Sequence, residues 1–62
     1  MENLNLTYNV FEQQIQRLIH LRYKADKKRY YYKYIGRLDI ANQYRDKIND
    51  YTEQIEKLYE IV

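Results

Sequence analysis

The sequence predicts an all-α fold: a two-helix antiparallel hairpin, with helices at about 3–34 and 38–61 and a turn at 35–38, dimerising into a four-helix bundle. Three observations carry this. Apolar residues recur at alternating spacings of three and four along almost the whole chain, there is no proline, and the only glycine, Gly36, divides the pattern in two. With 62 residues, no serine and no linker-like stretch, the chain reads as one helical-hairpin domain over 1–62.

In the first helix, Leu4, Tyr8, Phe11, Ile15, Leu18, Arg22, Ala25, Arg29 and Tyr32 form a heptad seam. Its start is open among Asn3, Asn5, Thr7 and Asn9, the last with Glu12 in capping-box spacing; the seam's inclusion of Leu4 favours the early start. Arg22 and Arg29 occupy seam positions that prefer aliphatics, so their stems are expected to cover the core while the charges reach outward. A second stripe, Ile19, Tyr23, Tyr30 and Tyr34, falls on a face roughly opposite the seam. One neighbouring helix cannot cover both.

Glycine accepts the left-handed conformation that stops a helix, so Tyr34-Ile35-Gly36 is expected to end the first helix. Asp39 is then placed to cap the second. The run Gly36-Arg37-Leu38-Asp39-Ile40-Ala41-Asn42-Gln43-Tyr44-Arg45-Asp46-Lys47 resembles the turn between the helices of a tetratricopeptide unit. The resemblance covers about a dozen residues and implies hairpin geometry alone, because the chain lacks a second unit and a closing proline.

In the second helix Ala41, Tyr44, Ile48, Tyr51, Ile55, Leu58 and Val62 continue the three-four alternation. Folding back at 36–38 sets residues whose numbers sum to about 74 side by side: Phe11 with Val62, Ile15 with Leu58 or Tyr59, Leu18 with Ile55, Ala25 with Ile48, and Tyr32 with Ala41. Arg22 falls near the Tyr51 ring. The outer face, Asp39, Asp46, Asp50, Glu53, Lys57 and Glu60, reads as solvated, with Glu53 and Lys57 paired.

Charge is uneven. Residues 17–37 carry eight Lys or Arg against Asp26, while the acidic residues of the second helix outnumber Arg45, Lys47 and Lys57. The hairpin register implies that part of this asymmetry cancels between the helices. No apolar run reaches membrane-span length and Met1-Glu2-Asn3 does not begin a signal peptide, so a cytoplasmic protein with no membrane partner is expected.

No catalytic constellation emerges. His20 is the only histidine, there is no cysteine, and Asp46 and Asp50 lack further ligands, so no catalytic residue, metal or cofactor is predicted. The expectation is a non-enzymatic protein-binding hairpin, a small phage or viral inhibitor or adaptor acting on a host protein. Its face comprises Tyr23, Lys27, Tyr30, Tyr31, Lys33, Tyr34 and Arg37, with a homodimer or an obligate protein as partner. The alternative is nucleic-acid binding, with lysines on phosphates and tyrosines stacking on bases. In architecture alone, a dimerising hairpin of this kind resembles the Rop-type RNA-binding bundles.

Overall fold

The computed structural model describes the backbone of residues 2–61 and the side chains of residues 9–61. Two helices account for nearly all of it: α1 (Glu2–Tyr34) and α2 (Leu38–Ile61), packed as an antiparallel hairpin. The early start of α1 is the observed one. Of the seam, Leu4, Tyr8 and Val62, and with Val62 the Phe11 pairing, lie outside the described side chains.

The turn is built by Gly36, whose φ of 82° puts it in the left-handed region. The Gly36 amide donates to the Lys33 carbonyl at 3.1 Å and the Arg37 amide to the Tyr32 carbonyl at 2.8 Å. These are the two crossed bonds of a Schellman stop, and they satisfy carbonyls that the end of α1 would otherwise leave bare. Ala41 then donates to the Arg37 carbonyl at 3.0 Å, so α2 starts at Leu38 as the expected bounds have it, but Arg37 and not Asp39 stands at the cap position, two residues earlier. Asp39 lies inside the first turn, where a carboxylate faces the positive end of the helix dipole.

The register is the one the spacing predicts. The Arg22 guanidinium donates from Nη1 to Thr52 Oγ1 at 3.3 Å across the helix pair, and those numbers sum to 74. Ile15, Ala25, Ala41 and Ile55 form the buried core, each at most 6% exposed, and the other described seam positions are half-buried around them. Ile15 and Ile55 are the two large members; Ala25 and Ala41 let the backbones approach.

Two expectations about seam polarity need correction. Arg22 does not lie on the Tyr51 ring; the Thr52 hydroxyl, itself donating to the Ile48 carbonyl at 2.8 Å, receives it instead. Nor do the basic and acidic segments neutralise each other across the pair. Among the described residues the ion pairs are Arg29–Asp26, Arg37–Asp39, Arg45–Asp46 and Lys57–Glu53, all local in sequence. The seam separates the charged outer faces, so side chains of one helix reach their own neighbours first.

The Cα envelope measures 53 × 15 × 9 Å, a slab one helix thick. The protein exposes 5365 Å². A compact chain of 7.8 kDa would expose about 4,400 Å², so about 1,000 Å² more is left in contact with water. No helix among the described residues is long and apolar enough to cross a membrane.

Replacing Gly36 by alanine isolates the turn, because an added Cβ would meet no atom within 4 Å and the penalty is therefore conformational. Gly36→Ala is expected to cost about 1 to 2 kcal/mol. Thermal unfolding followed by circular dichroism should show the midpoint lowered by about 4 to 8 °C for each kcal/mol.

Candidate protein-binding surface

The tyrosine stripe stays outside the hairpin. Tyr23 is 57% exposed, Tyr30 69% and Tyr34 90%, while Ile19, the first member of the stripe, is half-buried. Ile19 and Tyr23 line a shallow depression with Arg22, Asp26, Ile48 and Thr52, at the edge of the seam. The stripe therefore starts on the hairpin's own packing and leaves it toward the turn.

Cations accompany these rings. Lys27 Nζ sits 4.7 Å from the Tyr23 ring centroid, one helical turn away, and the Arg29 guanidinium lies 5.9 Å from the Tyr30 ring. The negative face of each ring attracts the cation, and the contact holds the ring in a limited range of orientations. Tyr23, Lys27, Tyr30 and Tyr34 thus share one continuous strip of α1.

The remaining predicted residues do not join that strip as one patch. Tyr31 is exposed but turned about 100° from Tyr30 around the helix, and its ring meets the Tyr32 ring edge-on at 5.2 Å. Lys33 is exposed on a third side of α1. Arg37 stands in the turn, where its guanidinium donates from Nε and Nη2 to the two Asp39 carboxylate oxygens at 3.3 Å each. That pairing raises the Arg37 pKa and lowers that of Asp39, with the Ile40 amide adding to the second effect. Arg37 consequently fastens the turn as well as contributing charge.

Two features were missed in the sequence. Tyr32 stacks on Tyr44 of α2, with ring centroids 5.8 Å apart and planes 6° from parallel, where Ala41 was the expected neighbour. Lys28 and Lys47 both approach the Tyr44 ring, at 5.8 and 5.1 Å. The signal was present, since 32 and 44 also sum close to 74, but alanine one turn earlier fits the same spacing. The second is an open groove of about 550 Å³ on the other flank of the hairpin, lined by Leu18, Leu21, Tyr51 and Leu58 together with the polar Gln14, Arg17, Gln54 and Lys57. Leu18, Tyr51 and Leu58 are seam residues, and periodicity assigns them to the seam without showing how much of each remains uncovered.

Lys24, Lys27, Lys28 and Lys33 have no carboxylate within salt-bridge distance among the described residues. Arg29 bonds Asp26 at 3.1 Å from Nη2, and its Nε is shielded from solvent without a hydrogen-bond partner among the described residues. Among the described residues no three His, Cys, Asp or Glu side chains converge as a metal site would require.

No family model, curated protein or solved structure matches this chain.

Two measurements probe this surface. A double-mutant cycle on Tyr32→Ala and Tyr44→Ala is expected to give a coupling of about 0.5 to 1.5 kcal/mol for the stacked rings. The Asp39 carboxyl has a depressed pKa in the folded state, so its stabilising contribution is present above the ordinary carboxylate range and lost as pH falls through the depressed value. Asp39→Asn should therefore remove part of the fall in thermal midpoint as the pH drops below the ordinary carboxylate range, leaving the midpoint's dependence at neutral pH unchanged.

Proposed function

We propose that the chain is a non-enzymatic, cytoplasmic binding protein, a helical hairpin that buries its surplus surface against a second copy or a permanent protein partner. It acts on another protein through the tyrosine and lysine strip of α1, as a small phage or viral inhibitor or adaptor of a host protein would. One observation carries the reading: Tyr23, Tyr30 and Tyr34 stand in solvent on a rigid helix, attended by Lys27 and Arg29. Rings of this kind cost little conformational entropy when they dock, since they turn about only two side-chain torsions and the helix already fixes their spacing. Tyr34, 90% exposed, gains almost nothing from the hairpin's own packing.

A second reading, binding to single-stranded nucleic acid, is favoured by one specific feature. Lys24, Lys27, Lys28 and Lys33 lack carboxylate partners among the described residues, so the internal neutralisation that would count against phosphate binding is missing there. The acidic outer face of α2 still leaves the chain's net charge at only +2, which places protein binding first.

The deciding experiment compares the chain with its Tyr30→Ala/Tyr34→Ala variant, both immobilised, in an extract of the source cell or its host. Each tyrosine acting as a hot spot contributes about 2 kcal/mol, so a retained protein should bind the double variant hundreds of times more weakly at unchanged helix content. Retention unaffected by the double substitution would defeat the proposal. Fluorescence anisotropy with mixed-sequence single-stranded RNA checks the second reading. Four lysines on phosphates predict a slope of about −3 in log affinity against log salt, and weak, salt-insensitive binding would exclude it.

A further inference from the structure

On the flank turned away from the tyrosine stripe, Leu18, Leu21, Tyr51 and Leu58 leave a groove open to solvent, with Gln14, Arg17, Gln54 and Lys57 as its polar lining. We infer that this groove receives a second copy of the chain. The two hairpins stack face to face with their turns at opposite ends, about a two-fold axis beside Leu18, and both tyrosine strips stay on the outside of the resulting four-helix bundle. The inference rests on the self-pairing proposed above and is independent of what binds the strip.

Area is the first argument. The surplus of about 1,000 Å² matches the roughly 800 Å² that each partner contributes to a standard stable interface.

Length is the second. α1 has 33 residues and α2 has 24. With Arg22 opposite Thr52, the end of α2 at Ile61 falls level with residue 13, so the first turns of α1 extend about 16 Å beyond their partner helix. The α1 side of the groove spans residues 14–21, centred where α1 itself is centred, at residue 18. A two-fold axis there sets residue n of one α1 beside residue 36 − n of the other. The overhang of each copy then lies along residues 24–34 of its mate, so α1 is paired over its whole length, while the two α2 helices overlap over residues 51–61 and the bundle is four helices thick around the axis. Stacking with both turns at one end would leave both overhangs bare.

Charge is the third. Residues 1–18 and 56–62 carry Glu2, Glu12, Glu56 and Glu60 against Arg17 and Lys57, a net −2, whereas residues 19–55 hold nine Lys or Arg against five carboxylates, a net +4. Turns at opposite ends bring the +4 half of each copy onto the −2 half of the other; turns together would press the two +4 halves against each other.

The chain has no cysteine, so Lys33→Cys accepts a single nitroxide label. Position 33 lies 15 residues from the axis in each copy, which places the two labels about 45 Å apart along the bundle. Double electron–electron resonance should return a distance near that value, and sedimentation equilibrium twice the 7.8 kDa chain mass. Leu21→Glu should raise the dimer dissociation constant at least about tenfold, while Tyr30→Ala/Tyr34→Ala should leave both mass and distance unchanged. A single-chain mass at about 100 μM would overturn the inference, as would a label distance under about 25 Å. Loss of the dimer in the tyrosine double variant would also overturn it, because the strip would then be what joins the copies. If Leu21→Glu fails to fold, the label distance in the otherwise unaltered chain still decides the arrangement.

Discussion

A layer one helix thick can bury only the narrow strip where its two helices meet, and the rest of this protein's organisation follows from that limit. Among the described residues four apolar side chains are buried, two of them alanines, while the other seam residues stay half-buried. Apolar surface removed from water supplies most of the favourable free energy of folding, against a conformational entropy cost that every ordered residue adds. In a slab the first quantity grows with the length of one line of contact. The heptad spacing of both helices, the glycine stop and the alanines that draw the backbones together all serve to make that line long and close.

Polar groups at the seam are handled by local bonding. Arg22 ends on a threonine hydroxyl already anchored to its own helix, which gives the guanidinium a neutral acceptor and avoids bringing a carboxylate into the contact. Arg29 takes its carboxylate from Asp26 on the same helix. Ion pairs between neighbours in sequence require little ordering beyond what the helix already imposes, but exposed ones contribute only a few tenths of a kcal/mol. The charge pattern therefore shapes what approaches the molecule more than it shapes the hairpin.

Much of the backbone was legible in the chain's own spelling. Gly36 sits between two uninterrupted apolar periodicities, and the helices end within a residue or two of the places those patterns indicate. The register was legible too, since a short turn of known position leaves little freedom for sliding. Side-chain partners were less so. Ala41 and Tyr44 both occupy seam positions within reach of Tyr32, and only the crossing geometry selects the ring. The candidate surface was read in part for a related reason. Spacing places Tyr23, Lys27, Tyr30 and Tyr34 on one strip, but it does not reveal that Arg37 is held by Asp39 or that Tyr31 leans on Tyr32. The direction of a long side chain depends on its neighbours in space.

The constant-sum register also fixes an order of assembly. Contacts beside the turn, such as Tyr32 on Tyr44, close a loop of about a dozen residues, whereas a contact between the levels of Ile15 and Ile55 must close one of about forty. Loop-closure entropy rises with the logarithm of that length, so pairing nucleates at the glycine and zips outward. During synthesis the whole of α1 leaves the ribosome before any residue that can cover it, which makes the nascent first helix the stage at which this chain is most open to capture by other apolar surfaces.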